Sequence, residues 1–322
     1  MAFNEEPTVA NESVGDAKGK ADILNNEAGL LAQRGEFERA VALLEESLAI
    51  RESIGDAKGK AATLGNIAWL LEKRGEDERA IALLEESLAI EESIGDVKGK
   101  AVTLNNIAWL HEKRGESERA IALLEESLTI EESIGDEKSK ADTLNNLAGL
   151  LSQRGEKERA IALLEESITI EESIGDAEGK ADTLNNLAGL LAQRGEFERA
   201  IALLEESLTI EESIGDTIGK LTTLNNLAGL LDQRGEFERA VALLKETLAI
   251  RESIGDVKGK AATLHAIAVI LMTNRDGEEA IKLWSQSLKI CEEIGDNQLK
   301  QDILSVMRQI IEVSSMSEED YI

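Results

Sequence analysis

Apolar residues recur along nearly the whole chain at helical spacing, in paired stretches broken by short polar segments. In one pair, Ala181, Leu184, Leu187, Ala188 and Leu191 mark the first stretch, and Ala200, Ile201, Leu203, Leu204, Leu208 and Ile210 mark the second. Spacings of three and four residues put each set on one face of an α-helix. Asp176 stands where an N-cap is needed, because its carboxylate accepts from the first free amides of the helix. Gly195 and Gly215 stand where the two helices should stop, since glycine accepts the left-handed geometry of a helix end. The loop between the stretches is only a few residues long, so the two helices are predicted to lie antiparallel.

The same pair recurs. Gly15-Asp16, Gly55-Asp56 and Gly95-Asp96 begin a series that continues every 40 residues to Gly295-Asp296, without an insertion. One hairpin of this kind cannot bury its apolar face alone, and stacking of neighbours makes the core. The ends break the pattern. Glu27 takes a position that is apolar in every other hairpin, which is tolerable only where little structure covers it. Arg308 replaces the small contact residue of the last first-type helix, which excludes a second helix there. The expected organisation is a flanking half-cap over residues 1–16, an array over 17–313 and a mobile acidic tail over 314–322.

Leu184, Leu187-Ala188, Leu191, Gly195, Phe197 and Ala200 follow in the order of the tetratricopeptide repeat, which the unit resembles over about residues 17–313. The string TLNNLA, at Thr183 to Ala188, resembles the kinesin-light-chain variety, and the Gly-Asp hinge with its 40-residue period resembles Pins-type adaptors. The resemblance implies an all-α fold, an α-solenoid (right-handed superhelix) of seven helical hairpins plus a C-terminal capping helix. One departure stands out: Glu212 takes the place of the family's proline, so the second helix should continue to Ile214. That extra turn changes the stacking angle relative to 34-residue repeats.

Composition narrows the function classes. The 322 residues include one proline, Pro7, and carry a formal net charge of −29. Such a charge repels a phosphate backbone and anionic membranes, so neither nucleic acid nor membrane is an expected partner. Cys291 is the single cysteine, which leaves no intramolecular disulfide. The N-terminal segment has no apolar core and no apolar run reaches ~18 residues, so a cytoplasmic location is expected. The two histidines, His111 and His265, have no cysteine or serine partner at a motif spacing. GDAKGK lacks the glycine spacing and hydroxyl residue of a phosphate loop. The glutamate pairs Glu205-Glu206 and Glu211-Glu212 read as an outer, solvated face. No cofactor, metal or enzymatic activity is expected.

In the family the first helices line the groove. Two groups of residues fall there. Asn66, Asn106, Asn146, Asn186 and Asn226 form one asparagine column, and Asn105, Asn145, Asn185 and Asn225 form a second beside it. A side-chain amide both donates and accepts, so a ladder of them suits the backbone of an extended peptide; the alternative is that these amides bond one another or neighbouring turns. The other group is Trp69 and Trp109, flanked by Lys73 and Lys113, in repeats that read WLLEKRG and WLHEKRG. Tryptophan is enriched at binding hot spots, but the pair would equally suit packing between helices, offsetting Asp77 and Ser117 in a phenylalanine column. Trp284 falls in a core leucine column and reads as packing. The expected function is a protein-interaction scaffold that holds an extended peptide of a partner, as a monomer rather than an oligomer. The alternative is a spacer or self-assembling scaffold with no peptide ligand.

Overall fold

In the computed structural model the chain is all helical among the described residues, which are 9–274 and 276–319; side chains are described from residue 15 to 309. The helices follow in hairpins: α1 (Val9–Gln33) with α2 (Phe37–Ile54), α3 (Ala57–Lys73) with α4 (Asp77–Ile94), and α5 (Val97–Lys113) with α6 (Ser117–Ile134). Then come α7 (Glu137–Gln153) with α8 (Lys157–Ile174), α9 (Ala177–Gln193) with α10 (Phe197–Ile214), α11 (Thr217–Gln233) with α12 (Phe237–Ile254), and α13 (Val257–Thr273) with α14 (Gly277–Ile294). A last helix, α15 (Asn297–Glu319), follows. This is the expected α-solenoid of seven hairpins and a closing helix. Two compact units divide it, Met1–Ile170 and Glu171–Ile322.

The local chemistry of the hinges is the predicted one. Asp176 accepts from the Gly179 amide at 3.1 Å, and the same cap recurs at Asp56, Asp96 and Asp256. Gly215 ends α10 at φ 74°, with the Asp216 amide bonded back to Glu211 O at 2.9 Å. Gly195 follows α9 at φ 82°. The second helices run to Ile214 and its equivalents, one turn beyond the family's proline position.

Both ends continue as helix. Helix α1 passes straight through Gly15 and Asp16, and no turn separates residues 9–16 from the array. A Gly-Asp pair permits a turn but does not force one. At the internal hinges the helices on both sides are packed, and that packing selects the turn over continued helix hydrogen bonding. Residues 1–8, including Pro7, lie outside the described residues. At the other end α15 continues past 313 to Glu319, because no glycine or proline interrupts it. Glu27 and Arg308 are both exposed, in keeping with their terminal positions.

The core of each unit is built from small and branched residues in register. In the first unit a cluster runs from Ala28 through Leu44, Leu71 and Leu84 to Leu110. Ala80 and Ala120 have no exposed surface, which lets the second helix of each hairpin lie close to the first. In the second unit Trp284, 1% exposed, centres a cluster with Ala268, Ala280, Cys291 and Ile303. Its indole nitrogen donates to His265 Nδ1 at 2.9 Å, so that ring holds its proton on Nε2. Burial holds the His265 imidazole below its ordinary pKa. His111 is buried, with Nδ1 2.8 Å from Glu116 Oε2. Each full-length leucine burial contributes about 2 kcal/mol, so the repeated leucine columns carry most of the stabilisation.

Salt bridges tie the hairpins in sequence. Lys60 on α3 reaches Glu52 on the preceding helix and Glu86 on its own partner helix, both at 2.8 Å. Lys100, Lys140, Lys180 and Lys220 repeat this bridge. The second lysine of GDAKGK is thus a structural clamp.

Candidate functional site

The two asparagine columns part company in the structure. Asn66, Asn106 and Asn146 in the first unit, and Asn186 and Asn226 in the second, are exposed on the first helices. Asn105, Asn145, Asn185 and Asn225 are half-buried one residue earlier, and their amides turn inward. Asn145 Nδ2 donates to Ala141 O at 3.2 Å and to Ser167 Oγ at 2.8 Å. Asn185 donates to Ser207 Oγ at 2.8 Å and to Thr223 Oγ1 at 2.7 Å, and its own oxygen accepts from Asn226 at 3.0 Å. Asn225 donates to Leu221 O at 2.7 Å. The inner column therefore joins repeats, and the outer column presents amides at the surface.

A buried glutamate anchors that inner network. Glu91, Glu131, Glu171 and Glu211 are all nearly inaccessible, although each opens a pair that reads as surface from its charge. Only the second member, such as Glu212, is exposed. Glu131 Oε1 accepts from Ser127 at 3.0 Å, Thr143 at 2.9 Å and Asn105 at 3.2 Å. Burial pushes the Glu91, Glu131 and Glu211 carboxyls above the ordinary glutamate value. In the first hairpin Arg51 takes this column and pairs with Asp22 and Asp56, both at 2.6 Å.

Trp69 and Trp109 do not pack inside. They are 50% and 48% exposed, one on α3 and the other at the equivalent place on α5. Lys73 Nζ lies 5.7 Å above the Trp69 ring, and Lys113 Nζ lies 5.5 Å above Trp109. Lys113 also spans the repeats, pairing with Glu72 at 3.2 Å and Asp77 at 2.9 Å. Thus Asp77, in the phenylalanine column, is offset by an ion pair. Between the two indoles lies a concavity of about 250 Å³ lined by Gly65, Ala68, Glu72, Asn106 and Leu110. In the second unit a concavity of about 400 Å³ lies between α9 and α11, where Gly189 and Gly229 replace the tryptophans. Among the described residues no cluster of three His, Cys, Asp or Glu side chains could hold a metal, and no helix is long and apolar enough to cross a membrane.

The tetratricopeptide repeat model matches residues 19–93, 99–173 and 179–253, which is more than half of the chain. The chain belongs to the tetratricopeptide repeat family. No curated protein gives a match. Among solved structures, BtubC (BKLC) from P. vanneervenii is 22% identical, with a TM-score of 0.56 over 77% of this chain and 93% of that one. The nearly identical repeats of a Podosopora anserina kinesin light chain, also 22% identical, give 0.53 over 60% and 95%. A signal transduction ATPase with a tetratricopeptide repeat sensor from Pyrococcus horikoshii gives 0.72 at 19% identity, over 90% of this chain and 45% of that one. At these identities the likeness is one of fold, including the kinesin-light-chain kind that TLNNLA suggested. Tetratricopeptide arrays are in general non-enzymatic, and this chain is a protein–protein interaction scaffold.

Proposed function

We propose that the face formed by the first helices binds an extended segment of a partner protein. The observation that carries this reading is the exposure of Trp69 and Trp109 beside Asn66 and Asn106, with an apolar-floored concavity between them. A large indole left half in water is an anchor for a partner, because covering it removes apolar area from solvent. The outer amides can donate to and accept from a peptide backbone whatever its side chains. Lys73 and Lys113 hold the indoles by cation–π contact and so present them in fixed orientation. The inner asparagines support this surface from behind rather than meeting the ligand. Selectivity then resides in the second and third repeats, where the sequence departs from its own pattern.

Selection of random extended peptides on the immobilised chain, followed by calorimetry, tests the reading. Trp109→Ala should weaken a selected peptide by about 2 kcal/mol, the range of an interface hot spot. Asn106→Ala should weaken it by about 1 kcal/mol, one hydrogen-bonding amide. Unchanged affinity in both variants sinks the proposal.

A further inference from the structure

Position 65 is where the inner asparagine column loses its side chain. The column reads Asn25, Gly65, Asn105, Asn145, Asn185, Asn225 and His265. Asn105 shows what the column does. Its Nδ2 lies 3.2 Å from Ala101 O, 2.8 Å from Ser127 Oγ, 3.2 Å from Glu131 Oε1 and 3.0 Å from Thr143 Oγ1. One nitrogen serves four oxygens that converge on it.

One repeat earlier the same oxygens are in place. Ser87 Oγ donates to Ala61 O at 3.0 Å and to Glu91 Oε1 at 3.2 Å, and Thr103 Oγ1 donates to Glu91 Oε1 at 3.0 Å. The nitrogen is missing, because residue 65 is glycine. The neighbours have not closed over the gap: a Cβ at Gly65 would meet no atom within 4 Å. Glu91 is accordingly 6% exposed, against 1% for Glu131 and Glu211. The gap opens into a concavity of about 530 Å³ between α3 and α5, with Trp69 and Asn106 on its walls. The two lysines at its rim do not compensate Glu91. Lys58 is paired with Asp96 at 2.8 Å, and Lys98 with Asp136 at 2.7 Å.

The Glu91 carboxyl favours a positive charge in the gap, and the space favours a narrow group that donates in several directions from a single atom. An ammonium group has three such donors on one nitrogen. A guanidinium spreads its donors over a flat fork and suits paired oxygens in a plane, not oxygens converging on a point. We propose that the gap at Gly65 receives the side chain of a lysine from the bound segment. Its Nζ takes the place that Asn105 Nδ2 holds in the next repeat, and its alkyl stem crosses the Trp69 indole. The inference rests on the groove reading above only for the source of the ammonium group.

The direct test is to titrate the full chain with n-butylammonium chloride at constant ionic strength, following backbone and indole NMR resonances, with n-butanol as the uncharged control. Gly65→Asn restores the nitrogen with a residue the fold already carries at five equivalent positions. Glu91→Gln removes the charge and keeps the shape. The wild type should show saturable shifts at Gly65 and Trp69, with a dissociation constant on the order of millimolar for so small a ligand. Both variants should bind at least about tenfold more weakly, and butanol should not saturate. A wild type silent at Gly65, or a Gly65→Asn variant that responds equally, overturns the slot. If butylammonium saturates the slot while no extended peptide binds, the slot stands and the groove reading falls. Peptides that bind without a preferred lysine, alongside a silent slot, give the reverse.

Discussion

Ser207 and Thr247 hold the same place in successive repeats and meet different surroundings. Ser207 Oγ donates to Ala181 O at 3.0 Å, bonding the second helix of its hairpin to the backbone of the first. Opposite Thr247 stands Leu221 instead of alanine, and the buried Thr247 hydroxyl has no partner. Ser207→Ala should therefore cost about 1 kcal/mol, whereas Thr247→Val should be neutral or stabilise by up to about 1 kcal/mol. Denaturant melts of the two variants check both signs. Glu211 belongs to the same stripe. Ala200, Leu204, Ser207 and Glu211 follow at spacings of four, three and four, so the sequence does put Glu211 on the buried face. Its charge argues the other way, and the outward reading of the Glu211-Glu212 pair follows charge instead of spacing. What offsets the charge is a pair of hydroxyls, Ser207 at 3.2 Å and Thr223 of the next repeat at 2.6 Å, and spacing within one helix does not show those. Trp69 and Trp109 pose the converse problem. Their column borders both the packed stripe and the groove, and only the seating of one hairpin on the next decides that they face water.

At the scale of the element, the repeat's punctuation was legible because it is short-range chemistry. Asp176 with Gly179, and Gly215 with its left-handed φ, are decided within a few residues. Gly215→Ala places a Cβ in the left-handed region and should cost about 1 kcal/mol by thermal melting. Gly15 marks the limit of that logic. The same dipeptide sits inside continuous helix α1, and no positive φ occurs there. A hinge therefore needs its dipeptide and a packed helix on either side, and the second condition is not local. The asparagine columns show the same limit. Adjacent residues point about 100° apart on a helix, so one column goes to the seam between hairpins and the other to the surface. Family resemblance alone treats both as groove.

For the whole molecule, the buried glutamates and the surplus of acids act in the same direction. A carboxyl raised in the folded state keeps its proton where the unfolded chain has released it. Folding stability contributed by Glu91, Glu131 and Glu211 is thus present below the unfolded value, about pH 4.3, and is lost as pH rises through the raised folded value. The cap aspartates oppose this at lower pH. Lys58 and Lys98 hold the Asp96 and Asp136 carboxyls below their ordinary range, so that contribution is lost as acid protonates them. The melting temperature should be higher near pH 5 than near pH 8, and the double variant Glu131→Gln/Glu211→Gln should flatten the difference. A melting temperature that climbs steadily between those values contradicts the assignment. The lysine clamps carry a different consequence. Each joins a first helix to the helix just before it and the helix just after it, so cohesion within a unit runs between adjacent hairpins. Pulled from its ends, such a unit should yield hairpin by hairpin rather than all at once. Each hairpin should lengthen the tether as it opens and shorten it again on reclosing, an elastic response that force spectroscopy would read as a series of small steps.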